Sequence, residues 1–436
     1  MTAVLQEAET ADRTLADTLS NTDDADDPDE HSTQPIQLHE YTSQELKLSE
    51  EQASKLNLLG NGRYLSVAPS EYLGHWQVSA RNYVGSVNVA GLQVLVRPKI
   101  PLRNLFLLLE VGLREQDWRD EAVNYETTAN LLPAMISWFA RTIETCLARG
   151  LYHSYREQRD RLIALRGRID IARQFTQPGM VIPTACQFTE FTADVIENSY
   201  LKAAVSRSLK VPGVQPVDRH RLMQHLVTLE EAAEQRHHHS DHDHITFTRL
   251  NEHYKPALHL ARLILANLTL RDDIGGTQAS AFMLDMNELF ERFVTERLTR
   301  ALRGKLEVKS QHDDRLDTNE AVTIRPDLVF QTAGKPRFVA DIKYKLTSDT
   351  AIGPNADLYQ LLAYTTALDV TEGLLIYCLD ANPETLSSKP RVGLGAQSVR
   401  VKHTGKLLHT YALDLSGTAN RIADQLQELA NWIAEH

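Results

Sequence analysis

Two short runs in the second half of the chain, AVTIRPDLVF at 321–330 and RFVADIKYK at 337–345, flank a break marked by Gly334 and Pro336. Apolar, β-branched and aromatic residues bounded by turn formers predict two neighbouring strands. Side chains two apart on a strand point to the same face, so Asp341 and Lys343 project side by side. Asp327, just after Pro326, brings a second carboxylate from the preceding strand. The apolar residues Phe338, Val339 and Ala340 lead into Asp341, so the charges end a buried run. Two carboxylates so placed can hold Mg²⁺, and a lysine beside them can position or activate a water.

The rest of the composition sets bounds. At 436 residues the chain exceeds one ordinary domain, and two or three are expected. A hydrophobic content of 42% is enough for real cores. The cysteines, Cys146, Cys186 and Cys378, are far apart and odd in number, which argues against a disulfide framework and for a reducing compartment. No apolar run approaches the ~18–20 residues of a membrane span. The N-terminus lacks the basic and apolar regions of a secretory signal. A cytoplasmic protein with no membrane partner is therefore expected. The net charge of −12 does not argue against nucleic acid, because residues 1–36 hold ten acidic side chains and a single basic one, Arg13. The remainder is close to neutral and can still present a local basic cleft.

Four segments follow from composition and periodicity. Residues 1–36 are rich in Thr, Asp and Ala and cannot bury enough apolar surface to offset ordering entropy, which predicts a disordered acidic tail. Residues 37–103 alternate in the manner of strands and read as a β-rich domain. Residues 104–272 turn helical, notably from Leu131 to Leu151, and read as a helical connector. Residues 280–436 read as helix, three strands, helix, strand, then a hairpin and a terminal helix. The expected fold class is thus multidomain α+β.

Further candidates flank the two carboxylate strands. The helix predicted after Asp357 places Gln360 and Tyr364 on one face at i and i+4. The helix before the strands offers Glu288 and Glu291 at i and i+3, and the LFERFV setting favours Glu291. In LRGRID, Arg166 and Arg168 could contact phosphate or a partner, or could pair with Glu190 or Asp194. The run RHHHSDHDH at 236–244 invites a zinc reading, but its ligands are too closely packed for an ordered tetrahedral site, and a solvated linker is the plainer reading.

The helix–strand–strand–strand–helix–strand order, with Asp327 and Asp-x-Lys at 341–343, resembles the core of PD-(D/E)XK nucleases, and the Gln360/Tyr364 spacing resembles nucleases of RecB type. More specifically, DMNELFERFV (285–294), IRPDLVF (324–330), ADIKYK (340–345) and DLYQLLAY (357–364) resemble the McrC family, the nuclease subunits of McrBC-type 5-methylcytosine (modification-dependent) restriction systems. The upstream segments Tyr83-Val84-Gly85, Arg97-Pro98-Lys99-Ile100, LRGRID and Thr248-Arg249-Leu250-Asn251 with Tyr254 agree, and the likeness spans about residues 75–380. The resemblance implies a C-terminal α/β PD-(D/E)XK domain that cuts DNA with Mg²⁺. It implies a metal shell of Asp327, Asp341, the Ile342 carbonyl and Glu291, with Lys343 orienting water, and Gln360 and Tyr364 orienting the site or touching DNA. It also implies a McrB-like AAA+ GTPase ring as partner, docked by the β-rich N-terminal part and stimulated by it. The chain has no G-x-x-x-x-G-K-[ST] loop, so GTP would be used by the partner. Two competing readings are a stand-alone RecB-type repair nuclease and a non-cleaving adaptor of an AAA+ ring. The adaptor is disfavoured because Asp327, Asp341 and Lys343 are all retained.

Overall fold

In the strand Lys335–Thr347, alternate side chains enter two different cores. Phe338, Ala340, Ile342 and Tyr344 bury in the larger core, whereas Val339 buries in a smaller one on the opposite face. Asp341 and Lys343 fall on the face of Val339, as a period of two requires. The computed structural model describes residues 35–59, 62–109, 131–177, 179, 181–233, 245–272, 278–347, 355–379 and 398–436. The expectations for the acidic tail before Pro35 and for the histidine-rich run lie outside these residues. The described elements from Ile36 onward belong to one compact unit, Ile36–His436. Among the described residues, no helix is long and apolar enough to cross a membrane.

The strand Lys335–Thr347 is third in a six-stranded mixed sheet, ordered Glu307–Ser310, Leu328–Thr332, Lys335–Thr347, Glu372–Leu379, Leu407–Leu413, Ser398–Arg400. It pairs antiparallel with Leu328–Thr332 and parallel with Glu372–Leu379. A parallel neighbour needs a crossover, and the helix Asn355–Ala367 supplies it, covering the smaller core through Leu358, Leu361 and Tyr364. On the other face lie the helices Met286–Ala301 and Ala419–Glu435. The latter buries Ile422, Leu426, Leu429 and Ile433, a stripe at helical spacing. Each such side chain, fully buried, contributes about 1.5–3 kcal/mol. Asp285 caps the former helix, accepting from the amides of Asn287 at 3.0 Å and Glu288 at 3.4 Å.

A second sheet is ordered Ile36–His39, Leu92–Arg97, Tyr83–Val89, Gln278–Asp285, Leu268–Asp272. Its middle strand, Tyr83–Val89, pairs with a segment that enters from about two hundred residues later in the chain, Ser280 opposite Asn88 through Asp285 opposite Tyr83. A three-stranded sheet, Ser43–Lys47, His75–Ala80 and Leu65–Pro69, shares a core with it. The region expected to be a helical connector does contain the helices Leu131–Leu147, Ile196–Leu209, Pro216–Thr228 and Lys255–Asn267. It also holds a three-stranded arm, Ser154–Leu162 paired with Thr184–Thr192 and bordered by Arg168–Ile169, that periodicity did not reveal.

Gly85 explains the close approach of the two distant segments. Its φ is +150°, and a Cβ there would lie 1.9 Å from the Phe282 carbonyl oxygen on the neighbouring strand. Backbone cannot yield as a flexible side chain can. Gly85→Ala is therefore expected to destabilise the protein by about 2 kcal/mol or more, read as a lowered thermal midpoint. An unchanged midpoint would mean that the strands are free to separate at this position.

Candidate active site

The Tyr364 hydroxyl donates to the Arg325 carbonyl at 3.4 Å and accepts from Gln360 Nε2 at 2.6 Å. The helix Asn355–Ala367 thereby anchors the segment just before Asp327. Gln360 and Tyr364 come together, and their hydrogen bonds make them supports of the backbone just before Asp327. A second tie to the same helix runs from Lys345, whose Nζ lies 2.7 Å from Asp357 Oδ1, while the Tyr377 hydroxyl donates to Asp357 Oδ2 at 3.0 Å.

Asp327 crosses from its strand to the next. Its Oδ2 accepts the Ile342 amide at 2.7 Å. Ile342 thus serves the site through its N–H, while its side chain is buried in the larger core. Asp341 is only 1% exposed, and neither of its carboxylate oxygens receives a well-directed hydrogen bond. Lys343 Nζ is 2.7 Å from Asp341 Oδ2, an ion contact within an otherwise dry environment. Burial, then the neighbouring Asp327, pushes the Asp341 carboxyl up to about 7, although Lys343 pulls the other way. Burial works against the charge on Lys343, but Asp341 and Asp327 outweigh it and hold its pKa above the usual lysine value. A lysine so held stays cationic. It suits stabilising negative charge or orienting a water better than removing a proton.

Glu291 reaches the same cluster from the helix Met286–Ala301. Its carboxyl is raised by burial and then by Asp327, with Gln311 and Lys343 opposing. Gln311 was not anticipated. Its side-chain amide donates to Glu291 Oε1 and, at 3.3 Å, to Asp327 Oδ1, and its backbone N–H donates to the Asp327 carbonyl at 2.9 Å. Its φ of +50° is uncommon for a residue with a side chain and turns the amide in between the two carboxylates. No sequence motif marks such a turn; only the proximity of Gln311 to the end of a predicted strand hinted at it.

The donor set fits a hard cation. Asp341 offers a buried Oδ1 with no hydrogen-bond partner and an Oδ2 touched by the Lys343 ammonium, and Asp327 offers an Oδ1 that is only weakly engaged. Mg²⁺ is commonly held by one or two carboxylates while keeping waters. Among the described residues no group of three or more His, Cys, Asp or Glu is close enough to form a complete protein cage. The reason is visible in Gln311, which stands between Glu291 and Asp327, and in the ammonium of Lys343 against Asp341.

The arm residues resolve as well. Arg166 pairs with Glu190 at 3.1 Å and lies over the Phe188 ring at 4.5 Å, Arg168 donates to Gln187 Oε1 at 3.2 Å, and it is Arg156 that pairs with Asp194, at 2.6 Å. The site also joins the N-terminal strands. Glu40, fully buried, accepts the Tyr344 hydroxyl and the Lys99 amide, each at 2.7 Å.

Residues 78–378 match the model of a family described as "McrBC 5-methylcytosine restriction system component". The chain belongs to that family. A chain in a Thermococcus gammatolerans structure, described as a half-complex of McrB AAA+ hexamers with bound McrC, is 19% identical with a TM-score of 0.58. The match covers 92% of this chain and all of that one, which establishes a shared McrBC-type fold. A second structure, of the Thermococcus gammatolerans McrBC complex, is 21% identical over 62% of this chain and 88% of that chain, with a TM-score of 0.42. No curated protein matches the sequence. Glu291, Gln311, Asp327 and Lys343, like Asp341, lie within the residues matched by the McrBC family model.

The raised Asp341 carboxyl has a thermodynamic consequence for this McrBC-family chain. A carboxyl raised in the folded state binds protons more tightly there than when unfolded. Stability is therefore lost as pH rises from the ordinary aspartate range to about 7, and stays lost above it. Asp341→Asn removes this loss. In divalent-free buffer at pH 8 the variant should melt at least about 2 °C above the wild type, and the gap should close towards pH 4. A variant less stable than wild type at pH 8 would show that the Lys343 contact outweighs the burial cost.

Proposed function

We propose that this chain is the DNA endonuclease subunit of a modification-dependent restriction system, with a C-terminal PD-(D/E)XK-type domain and Mg²⁺ as its cofactor. The observation that carries the reading is Asp341, buried beside Asp327 with its Oδ1 unbonded and its Oδ2 against the Lys343 ammonium at 2.7 Å. Asp327, Asp341 and, after Gln311 turns aside, Glu291 would hold the metal. Bound there, Mg²⁺ supplies Lewis-acid charge at the scissile phosphate. Lys343 orients the attacking water and stabilises the negative charge that develops on phosphate oxygens. Gln311 bridges Glu291 and Asp327 through its side-chain amide and offsets part of the repulsion between them. Gln360 and Tyr364 fix the Arg325–Asp327 backbone so that the two carboxylate strands keep their register.

The partner in this reading is a McrB-like AAA+ GTPase ring, by analogy with the Thermococcus gammatolerans assembly of McrB hexamers with bound McrC. The chain stimulates the ring's GTP hydrolysis, and the ring brings modified DNA to the nuclease. The docking surface extends beyond the expected segment 37–103 to the arm, where Tyr155, Ile163, Leu165, Phe175, Val181 and Phe191 are each more than half exposed. Apolar residues clustered outside a core mark an interaction surface. Such a protein works in the cytoplasm, where the ring's GTP is found.

The direct test is cleavage of methylated and unmethylated plasmid, with and without the ring and GTP, by wild type and Lys343→Ala. Wild type with ring, GTP and Mg²⁺ should cut methylated plasmid. The variant should lose at least about a hundredfold in rate while still stimulating GTP hydrolysis. Cutting by the variant at the wild-type rate would exclude this site. Cutting by wild type alone, without ring or GTP, would favour a stand-alone repair nuclease.

A further inference from the structure

On the other flank of the glutamate helix lies a cavity of about 190 Å³. It is lined by the guanidinium groups of Arg63, Arg262 and Arg292, with Asp285 and Glu288 as the carboxylates. The positive residues outnumber the negative ones, and of the two acids only Glu288 acts on Arg292. Asp285 is committed to capping the helix and to Asn82 Nδ2, at 2.7 Å. Arg63 Nε donates to the Tyr83 hydroxyl at 2.5 Å, and Arg262 is already engaged elsewhere.

Arg292 differs. Its Nε is fully buried without a hydrogen-bond partner, and no ion pair involves it among the described residues. Burial lowers its pKa from the usual arginine value. Glu288 and Glu296 on the same helix favour its charge, but burial outweighs them. A planar guanidinium facing a cavity is preorganised for the parallel hydrogen bonds that a phosphate or carboxylate can accept. The cavity's place in the fold selects between them. Arg292 follows Glu291 in sequence, about 100° further round the same helix. Glu291 faces the metal-site carboxylates while Arg292 faces the cavity. Anything bound there sits within one helical turn of the cleavage site.

We propose that this cavity takes a phosphate group of the DNA backbone, gripped by Arg292 with Arg63 and Arg262 beside it. The assignment rests on the nuclease reading given above. It places the backbone next to the scissile position and sets where the duplex lies across the helix Met286–Ala301.

Duplex binding by the full-length chain, followed by fluorescence anisotropy in divalent-free buffer over a series of salt concentrations, tests it without cleavage. Arg292→Met keeps the bulk and removes the charge. It should weaken binding about tenfold and reduce the magnitude of the salt slope by about one. Arg63→Gln, at the exposed rim, should weaken binding by about threefold and serves where the buried variant fails to fold. In a parallel thermal-shift arm, inorganic phosphate should raise the melting temperature of wild type but not of Arg292→Met. If wild type binds duplex and both variants bind it with unchanged affinity and slope, the cavity assignment falls and the nuclease reading stands. If phosphate stabilises only wild type while duplex binding is unchanged by the substitutions, the cavity is a free-phosphate site and the DNA assignment falls. If wild type does not bind duplex at all, with or without the ring, both readings fall together.

Discussion

Burying the Asp341 carboxylate is the constraint around which the C-terminal half of this molecule is organised. The group is 1% exposed and lacks a hydrogen bond to either oxygen. Lys343 can offset part of the cost only because a strand places residues two apart on one face. Asp327 can approach without flying apart electrostatically only because the Ile342 amide and the Gln311 amide hold its oxygens, at 2.7 and 3.3 Å. Even so, burial and the neighbouring Asp327 keep the Asp341 carboxyl raised, so its charged form is costly in this pocket.

The supports of this site are long-range, which links it to the rest of the chain. Tyr344, the residue after Lys343, donates to Glu40 across 304 positions of sequence. The Tyr41 hydroxyl lies 3.5 Å from the Tyr344 carbonyl. The N-terminal segment is therefore bonded directly to the strand that carries Asp341 and Lys343. In the proposed assembly, a displacement of the N-terminal part would reach the candidate site through these bonds. The middle strand of the N-terminal sheet is completed by Gln278–Asp285, which leads straight into the glutamate helix. Docking and chemistry share covalent and hydrogen-bonded neighbours.

What could be read from the sequence was what depends on short spacing. The period of two put Asp341 with Lys343, and helical spacing put Gln360 with Tyr364; the structure brings both pairs together. The order of elements after residue 280 was also legible, because each element announces its own period. Contacts between distant segments were not. Gln311 gains its place from a left-handed turn that any polar residue could disguise. The Ser154–Leu162 and Thr184–Thr192 strands carry arginines and glutamates on exposed faces, so their alternation does not track a core. Nor was the cavity beside Arg292, which the helix Lys255–Asn267 and the strands Tyr83–Val89 and Gln278–Asp285 line together.

The central claim is that Asp327 and Asp341 together hold a divalent metal. It is tested most directly by the anomalous scattering of Mn²⁺ diffused into crystals of the protein. The account predicts a single strong peak about 2.0–2.3 Å from a carboxylate oxygen of each residue, with the Gln311 amide turned away from Asp327. A peak at any other group of side chains, or no peak at Mn²⁺ concentrations that support cleavage in solution, would contradict it.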